Sequence, residues 1–323
     1  MEKYPLLLKP VSKQIIWGGD VLKKEYNKKA PFEKIAESWE LSVRPGENCV
    51  IRNGGLKGRT LMGAIAGDRS FLGTNCDAYD RFPLLIKFID AGDRLSIQVH
   101  PDNEYAMAHE GETGKTEMWY IMDADPGAQL VYGLKPGTGR KELEEAVKGG
   151  YVEEVMNYVD VKKGDVFFIP AGQVHAIGKG ILIAEIQQNC NVTYRVYDYN
   201  RRQPDGSLRK LHTDEALDVI VSRTEEEIRR IRFSKPVETS GTVLGSCDYF
   251  TSVKYTVCQG RDLELQADVK SFMSLLFLES EGAFILFEDR KIRIRKGDSL
   301  FIPADMGKFR ICGGCELIST TVN

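Results

Sequence analysis

A nine-residue stretch of this chain recurs with seven positions identical, as Lys163-Gly-Asp-Val-Phe-Phe-Ile-Pro-Ala171 and as Lys296-Gly-Asp-Ser-Leu-Phe-Ile-Pro-Ala304, at an offset of 133 residues from Asp165 to Asp298. A repeat of turn, buried strand and turn at this distance signals a duplicated architecture. The first copy continues to Gly172-Gln-Val-His175. The same offset carries His175 onto Lys308, an ammonium with no lone pair to give a metal at neutral pH. One chain, two barrels and one metal site are expected, the second barrel being structural.

His175 has partners upstream. In Ser96-Ile-Gln-Val-His100 the alternation of a strand puts Gln98 and His100 on one face. Glu117 follows seventeen residues after His100, in Gly114-Lys-Thr-Glu-Met-Trp-Tyr120, where alternation aims Lys115 and Glu117 the same way. An amide oxygen, two imidazole nitrogens and a carboxylate suit Zn²⁺ with an open position, and Mn²⁺, Fe²⁺ or Co²⁺ fit the same donors. Lys87 interrupts the apolar run Pro83-Leu-Leu-Ile-Lys-Phe-Ile-Asp90. A lysine there is costly unless it reaches water or an anion, which makes it a candidate phosphate or carboxylate contact.

At 323 residues the chain is comfortable for two domains. Composition shifts to strand-rich sequence at Ser234-Lys-Pro-Val-Glu238, which divides a metal-binding unit, 1–235, from a second barrel, 236–323. Helical spacing marks 138–159 and 213–231, the latter as two short helices capped by Thr213 and Thr224. Residues 20–30 are basic and read as solvent-exposed. Ile35 to Ser42 alternates so that Trp39 joins the apolar set, while Ser38 and Glu40 face a pocket or solvent. His109 is expected on the surface of a short helix that begins after Pro101.

A net charge of −3, from 44 basic and 47 acidic residues, argues against a nucleic-acid or membrane-surface protein. No apolar run approaches the roughly 20 residues of a membrane span. Seven scattered cysteines and no charged-then-apolar opening segment point to a reducing cytoplasm. Cys312-Gly-Gly-Cys315 lacks the second pair that a zinc site needs and reads as free thiols.

Gly164 to His175 follows the second cupin motif, Gly-x5-Pro-x-Gly-x2-His, at each fixed position, although the asparagine expected four residues later is Lys179. Gln98-x-His100 followed by Glu117 is similar to the first cupin motif with its leading histidine replaced by glutamine. With Gln-Val-His-Pro-Asp, Gly-Lys-Thr-Glu-Met-Trp-Tyr and Tyr194-Arg-Val-Tyr-Asp-Tyr199, the chain resembles the type I phosphomannose isomerases of the short bacterial form. The likeness covers most of residues 1–235, and the tail matches the second barrel.

The resemblance implies a mainly β protein of two cupin (jelly-roll) barrels with a small helical insertion. It also implies an enzyme that interconverts mannose 6-phosphate and fructose 6-phosphate, with one Zn²⁺ per chain on Gln98, His100, Glu117 and His175. Arg195 matches the family's active-site arginine, Glu185 an acidic position ten residues before it, and Lys115 the lysine two residues before the glutamate ligand. Lys87, Ser96 and Arg201 match positions that hold the phosphate. Asn191 stands where many members carry aspartate, which weakens an acid/base role there. The implied partner is a small sugar phosphate, with neither nucleic acid nor membrane, for a monomer or homodimer in the cytoplasm.

Aldose-ketose isomerisation moves a proton between C2 and C1 through an enediolate. It needs a base of pKa near 7, an electrophile for the developing oxyanion and a grip on phosphate. The base is to be sought among Lys115, Glu185 and a metal-bound water, and a metal beside Lys115 is expected to lower its pKa. Two other readings compete. A metal-cupin dioxygenase is disfavoured by Gln98, and a non-catalytic metal-containing sugar-phosphate-binding cupin is opposed by Lys115 and Arg195.

Overall fold

The computed structural model describes residues 1–323. Strands dominate it. Six of them form one sheet, in the order Val166–Ile169, Glu117–Ala124, Ile181–Gln188, Leu84–Ala91, Glu37–Leu41, Val11–Lys13. Five more form a second sheet, in the order Met156–Asp160, Gln129–Leu134, His175–Ile177, Ile97–Val99, Tyr194–Tyr197. The inner faces share a cluster that includes Trp119, Ile183, Leu130 and Ile177. The edge strands Met156–Asp160 and Val166–Ile169 do not pair, so the sheets face each other without closing by hydrogen bonds.

Leu84–Ala91 and Ile181–Gln188 are buried along their whole length, as strands covered on both faces must be. Their outer faces, with Phe88 and Ile186, join Met118 and Tyr120 in a core shared with Phe250, Leu275, Phe277 and Leu317. Those last four belong to a nine-stranded sheet built from Thr242–Ser246 through Gly307–Val322, which also takes in Leu6–Lys9 and Val50–Ile51. Helices Arg140–Gly149 and Thr213–Val219 cover the outer face of the five-stranded sheet through Leu143, Ala216 and Leu217.

The repeated stretch folds twice into the same turn. Asp165 accepts a hydrogen bond from the Lys162 amide at 2.9 Å, and Asp298 accepts one from the Arg295 amide at 2.8 Å. Gly164 and Gly297 both have positive φ, at 93° and 82°. Each copy then enters a strand, Val166–Ile169 or Ser299–Ile302. The copies part where the offset predicts. His175 is fully buried, whereas Lys308 is exposed and pairs with Glu264 at 2.7 Å.

Several local readings change. The 138–159 segment is helical only to Val155, through Arg140–Gly149 and the 3₁₀ turn Val152–Val155, after which Met156–Asp160 pairs with Gln129–Leu134 as an edge strand. Thr224 caps its helix with a reciprocal Glu227 contact, but Thr213 lies inside its helix and His212 holds the cap position without a side-chain bond. Glu40 faces neither pocket nor solvent. It is fully buried against Lys28 at 2.6 Å and accepts from Ser299 Oγ at 2.9 Å, so the supposedly exposed 20–30 segment supplies a buried cation. His109 is exposed and stacks on Tyr105. All seven cysteines are free, Cys312 and Cys315 included. No helix is long and apolar enough to cross a membrane.

Candidate metal centre and active site

The centre lies where the two sheets face each other. Gln98 stands opposite His175 in one sheet, and Glu117 begins the neighbouring strand of the other. His100, Glu117 and His175 bring donor atoms within 4.8 Å of one another, and all three residues are buried. His100 Nδ1 donates to the Val192 carbonyl and His175 Nδ1 to the Gln173 carbonyl, each at 2.9 Å. Both rings are thus held with Nε2 unprotonated, 3.7 Å and 3.4 Å from the two Glu117 oxygens. The Gln98 amide lies 3.3 Å from His175 Nε2, and a half-turn exchanges its nitrogen for its oxygen.

Burial disfavours the imidazolium. It lowers the His175 pKa to about 4 and holds His100 well below its ordinary value. It pushes Glu117 up to about 7, against the pull of Lys115. Neither Glu117 oxygen has a hydrogen-bond partner in good geometry, although Lys115 Nζ lies 2.7 Å from Oε2. Lys115 also donates to His100 Nε2 at 3.2 Å, so the donors already gather around a positive charge. Two unprotonated imidazole nitrogens, a buried carboxylate and an amide fit a divalent cation of the zinc type.

Cations and carboxylates alternate beneath this centre. Lys87 and Glu185 are directly paired across adjacent strands, with Nζ 3.1 Å from Oε1, and Lys115 stands 3.9 Å from the same oxygen. Burial alone would lower the Lys115 pKa. Glu117 and Glu185 outweigh burial and hold it above its ordinary value. Burial alone would raise Glu185, but Lys115 and Lys87 hold it below.

The remaining expected residues separate into two groups. Ser96 Oγ donates to Gln98 Oε1 at 3.4 Å, beside the metal donors. Arg195 lies opposite Gln98 in the strand pair, donates to the Lys210 carbonyl at 2.7 Å and leaves a buried Nε without a partner. Arg201 belongs to an arginine cluster. It pairs with Asp198, as does Arg209, whose Nε donates to the same carboxylate at 2.7 Å, and the Arg201 Nε is also unpartnered. Burial, then Arg209, lowers the Arg195 pKa.

Sequence reasoning missed Trp119, whose Nε1 donates to Glu185 at 3.2 Å and whose edge meets His175. It also missed Glu37, which accepts from Trp39 Nε1 at 2.6 Å and lies 3.9 Å from Lys87. Glu37 and Trp39 share one face by period two, a signal present in the alternation. Arg209 carried no local signal, because it reaches Asp198 from eleven residues further along the chain, whereas Asp198 pairs with Arg201 at i,i+3 and stands in the Tyr194–Tyr199 stretch.

Comparison with known proteins gives the family of the chain. Residues 6–127 match the phosphomannose isomerase type I catalytic domain, and residues 240–322 match the mannose-6-phosphate isomerase cupin domain. The chain is 38% identical to mannose-6-phosphate isomerase ManA of Bacillus subtilis (strain 168), over 98% of this chain and 99% of that one. It is 36% identical to mannose-6-phosphate isomerase of Streptococcus mutans, over 99% of this chain and 98% of the relative. A crystal structure of the mannose 6-phosphate isomerase from Bacillus subtilis superposes with a TM-score of 0.87 at 34% identity, covering 98% of this chain and 99% of that one.

Proposed function

The chain belongs to the type I mannose-6-phosphate isomerases, and on that premise we propose that it interconverts mannose 6-phosphate and fructose 6-phosphate through an enediolate. The observation that carries this reading is the buried Glu117 carboxylate, paired only with Lys115 and faced by two unprotonated imidazole nitrogens. Gln98, His100, Glu117 and His175 would hold one zinc ion per chain. Bound there, such an ion supplies a Lewis acid for the oxygens at C1 and C2.

The protein's own groups supply the rest. Glu185, held ionised by two lysines, accepts the proton that moves between C2 and C1, although the same lysines hold its pKa below the value near 7 that favours a base. Lys115, held charged by two carboxylates, is suited to donate a hydrogen bond or proton to the sugar oxygen. Arg195 offers its free Nε to the developing oxyanion. Lys87, Ser96 and Arg201 grip the phosphate through charge-assisted hydrogen bonds. In this reading 1–235 is the catalytic cupin and 236–323 a degenerate second barrel. Seven free cysteines support a cytoplasmic setting.

The test is coupled conversion of mannose 6-phosphate to fructose 6-phosphate, before and after chelation and again with His100→Ala. Turnover is expected to fall at least roughly 100-fold in both cases, as loss of a catalytic metal requires. Turnover that survives chelation would overturn the metal's role. Clean metal and sugar-phosphate binding without turnover would favour a binding protein instead.

A further inference from the structure

A cleft of about 1020 Å³ opens over the unpaired edges of the two facing sheets. Phe167 and Phe168 line it from one edge strand, Asn157 and Val159 from the other, and residues 220–233 roof it. None of Glu117, His100, Lys115 and Lys87 is among its walls. The metal donors therefore lie outside this cleft, which meets their surroundings at the loop before His175 and at Tyr132, the cross-strand partner of His175. Gln173 lines the cleft while its carbonyl holds His175 Nδ1.

The charges here are unusual for a chain of net charge −3. Lys135, Arg223, Arg229 and Arg232 all line the cleft, and none is ion-paired to a carboxylate. Arg223 and Arg232 are half-buried, and their recorded hydrogen bonds go only to the carbonyls of Ala171 and Leu244. Of the carboxylates lining it, Glu226 is taken by Arg230 and Glu227 by the Thr224 cap, leaving Glu225 against four cations. A guanidinium withdrawn from water without a counter-charge is costly, and its planar fork matches phosphate.

The apolar walls point to the rest of the ligand. Phe233 and Val221 are 43% and 45% exposed at the cleft, and the Arg232 guanidinium lies 4.7 Å from the Phe233 ring. Tyr132 and Phe167 meet edge to face at 5.3 Å. The exposed Phe233 ring and the half-buried Tyr132 and Phe167 rings, beside cations without a carboxylate partner, offer a platform for a planar group whose phosphates reach the arginines. The size is that of a small-molecule site.

We propose that this cleft is a second ligand site, apart from the metal centre, for a phosphorylated compound that carries an aromatic ring, of the nucleoside diphosphate class. The probe is ADP, titrated calorimetrically into the metal-loaded enzyme with mannose 6-phosphate saturating the first site. One ADP per chain is expected to bind. Hydrogen exchange is expected to slow in residues 133–138 and 220–233 of the unaltered protein. R223Q/R229Q should weaken binding by roughly tenfold or more while leaving KM for mannose 6-phosphate unchanged. Because Arg223 also braces Ala171, K135Q/R229Q serves as a second variant confined to exposed side chains. Failure of ADP to saturate, its full displacement by mannose 6-phosphate, or equal affinity in both variants would overturn the proposal. Pyrophosphate binding as tightly as ADP would overturn the assignment of the aromatic ring. The isomerase assay is independent of all these outcomes, so the two readings fail separately.

Discussion

His100 and His175 each point a protonated Nδ1 at a backbone carbonyl, which leaves the other nitrogen unprotonated inside the molecule. The sequence supplied their identity and the shared face of Gln98 and His100. It had no means of supplying the carbonyls, which belong to Val192 and Gln173. The same burial makes stability depend on pH. His175 is lowered from 6.5 to about 4, so its contribution is complete above the unfolded value and is lost as pH falls towards the folded one. Denaturant titration of the metal-free protein at pH 7.5 and 4.5 should show a loss on the order of 2 kcal/mol greater than in His175→Gln. Equal losses would remove His175 as the cause. Glu185→Gln leaves two buried ammonium groups short of a partner and is expected to cost about 3–5 kcal/mol. Adding Lys87→Met should recover part of it in a double-mutant cycle. Lys87 was conspicuous in an apolar run, but its partner depends on strand register, which places Glu185 directly opposite.

Among the elements, the turn before His175 carries the most function for its length. Gly172 has φ of 85°, and a Cβ there would stand 2.8 Å from the Val219 carbonyl. Gly172→Ala should therefore displace the loop that delivers His175 and weaken zinc binding, read by competition with a chelator, more than it lowers Tm. The second copy keeps the left-handed turn with Asp305, at φ 59°, a residue type that tolerates it. The Glu225–Arg232 helix was legible from its Thr224 and Glu227 capping box. Thr224→Ala should cost about 1 kcal/mol in thermal or denaturant unfolding. Met156–Asp160 was not legible as a strand, because its pairing with Gln129–Leu134 outweighs the helical spacing that precedes it.

In the whole molecule the two halves are one folding problem. Leu6–Lys9 pairs with Ser299–Ile302, and the buried Lys28–Glu40 pair receives Ser299. A fragment ending at residue 235 would expose Phe88, Met118 and Tyr120, which pack against the C-terminal sheet. Such a fragment is expected to aggregate or remain unfolded by circular dichroism, whereas the full chain should unfold in a single transition; a soluble, cooperatively folding fragment would refute this. By itself the sequence determined the repeat, the absence of a ligating residue at Lys308, the candidate metal donors and the turns around them. All of these depend on residue type and on contacts within a few positions. Only the tertiary structure decided which carboxylate meets which lysine, which arginines gather on Asp198, and where the unpaired sheet edges leave a cleft. Those outcomes follow from strand register and sheet packing, set by burial summed over residues far apart in the chain.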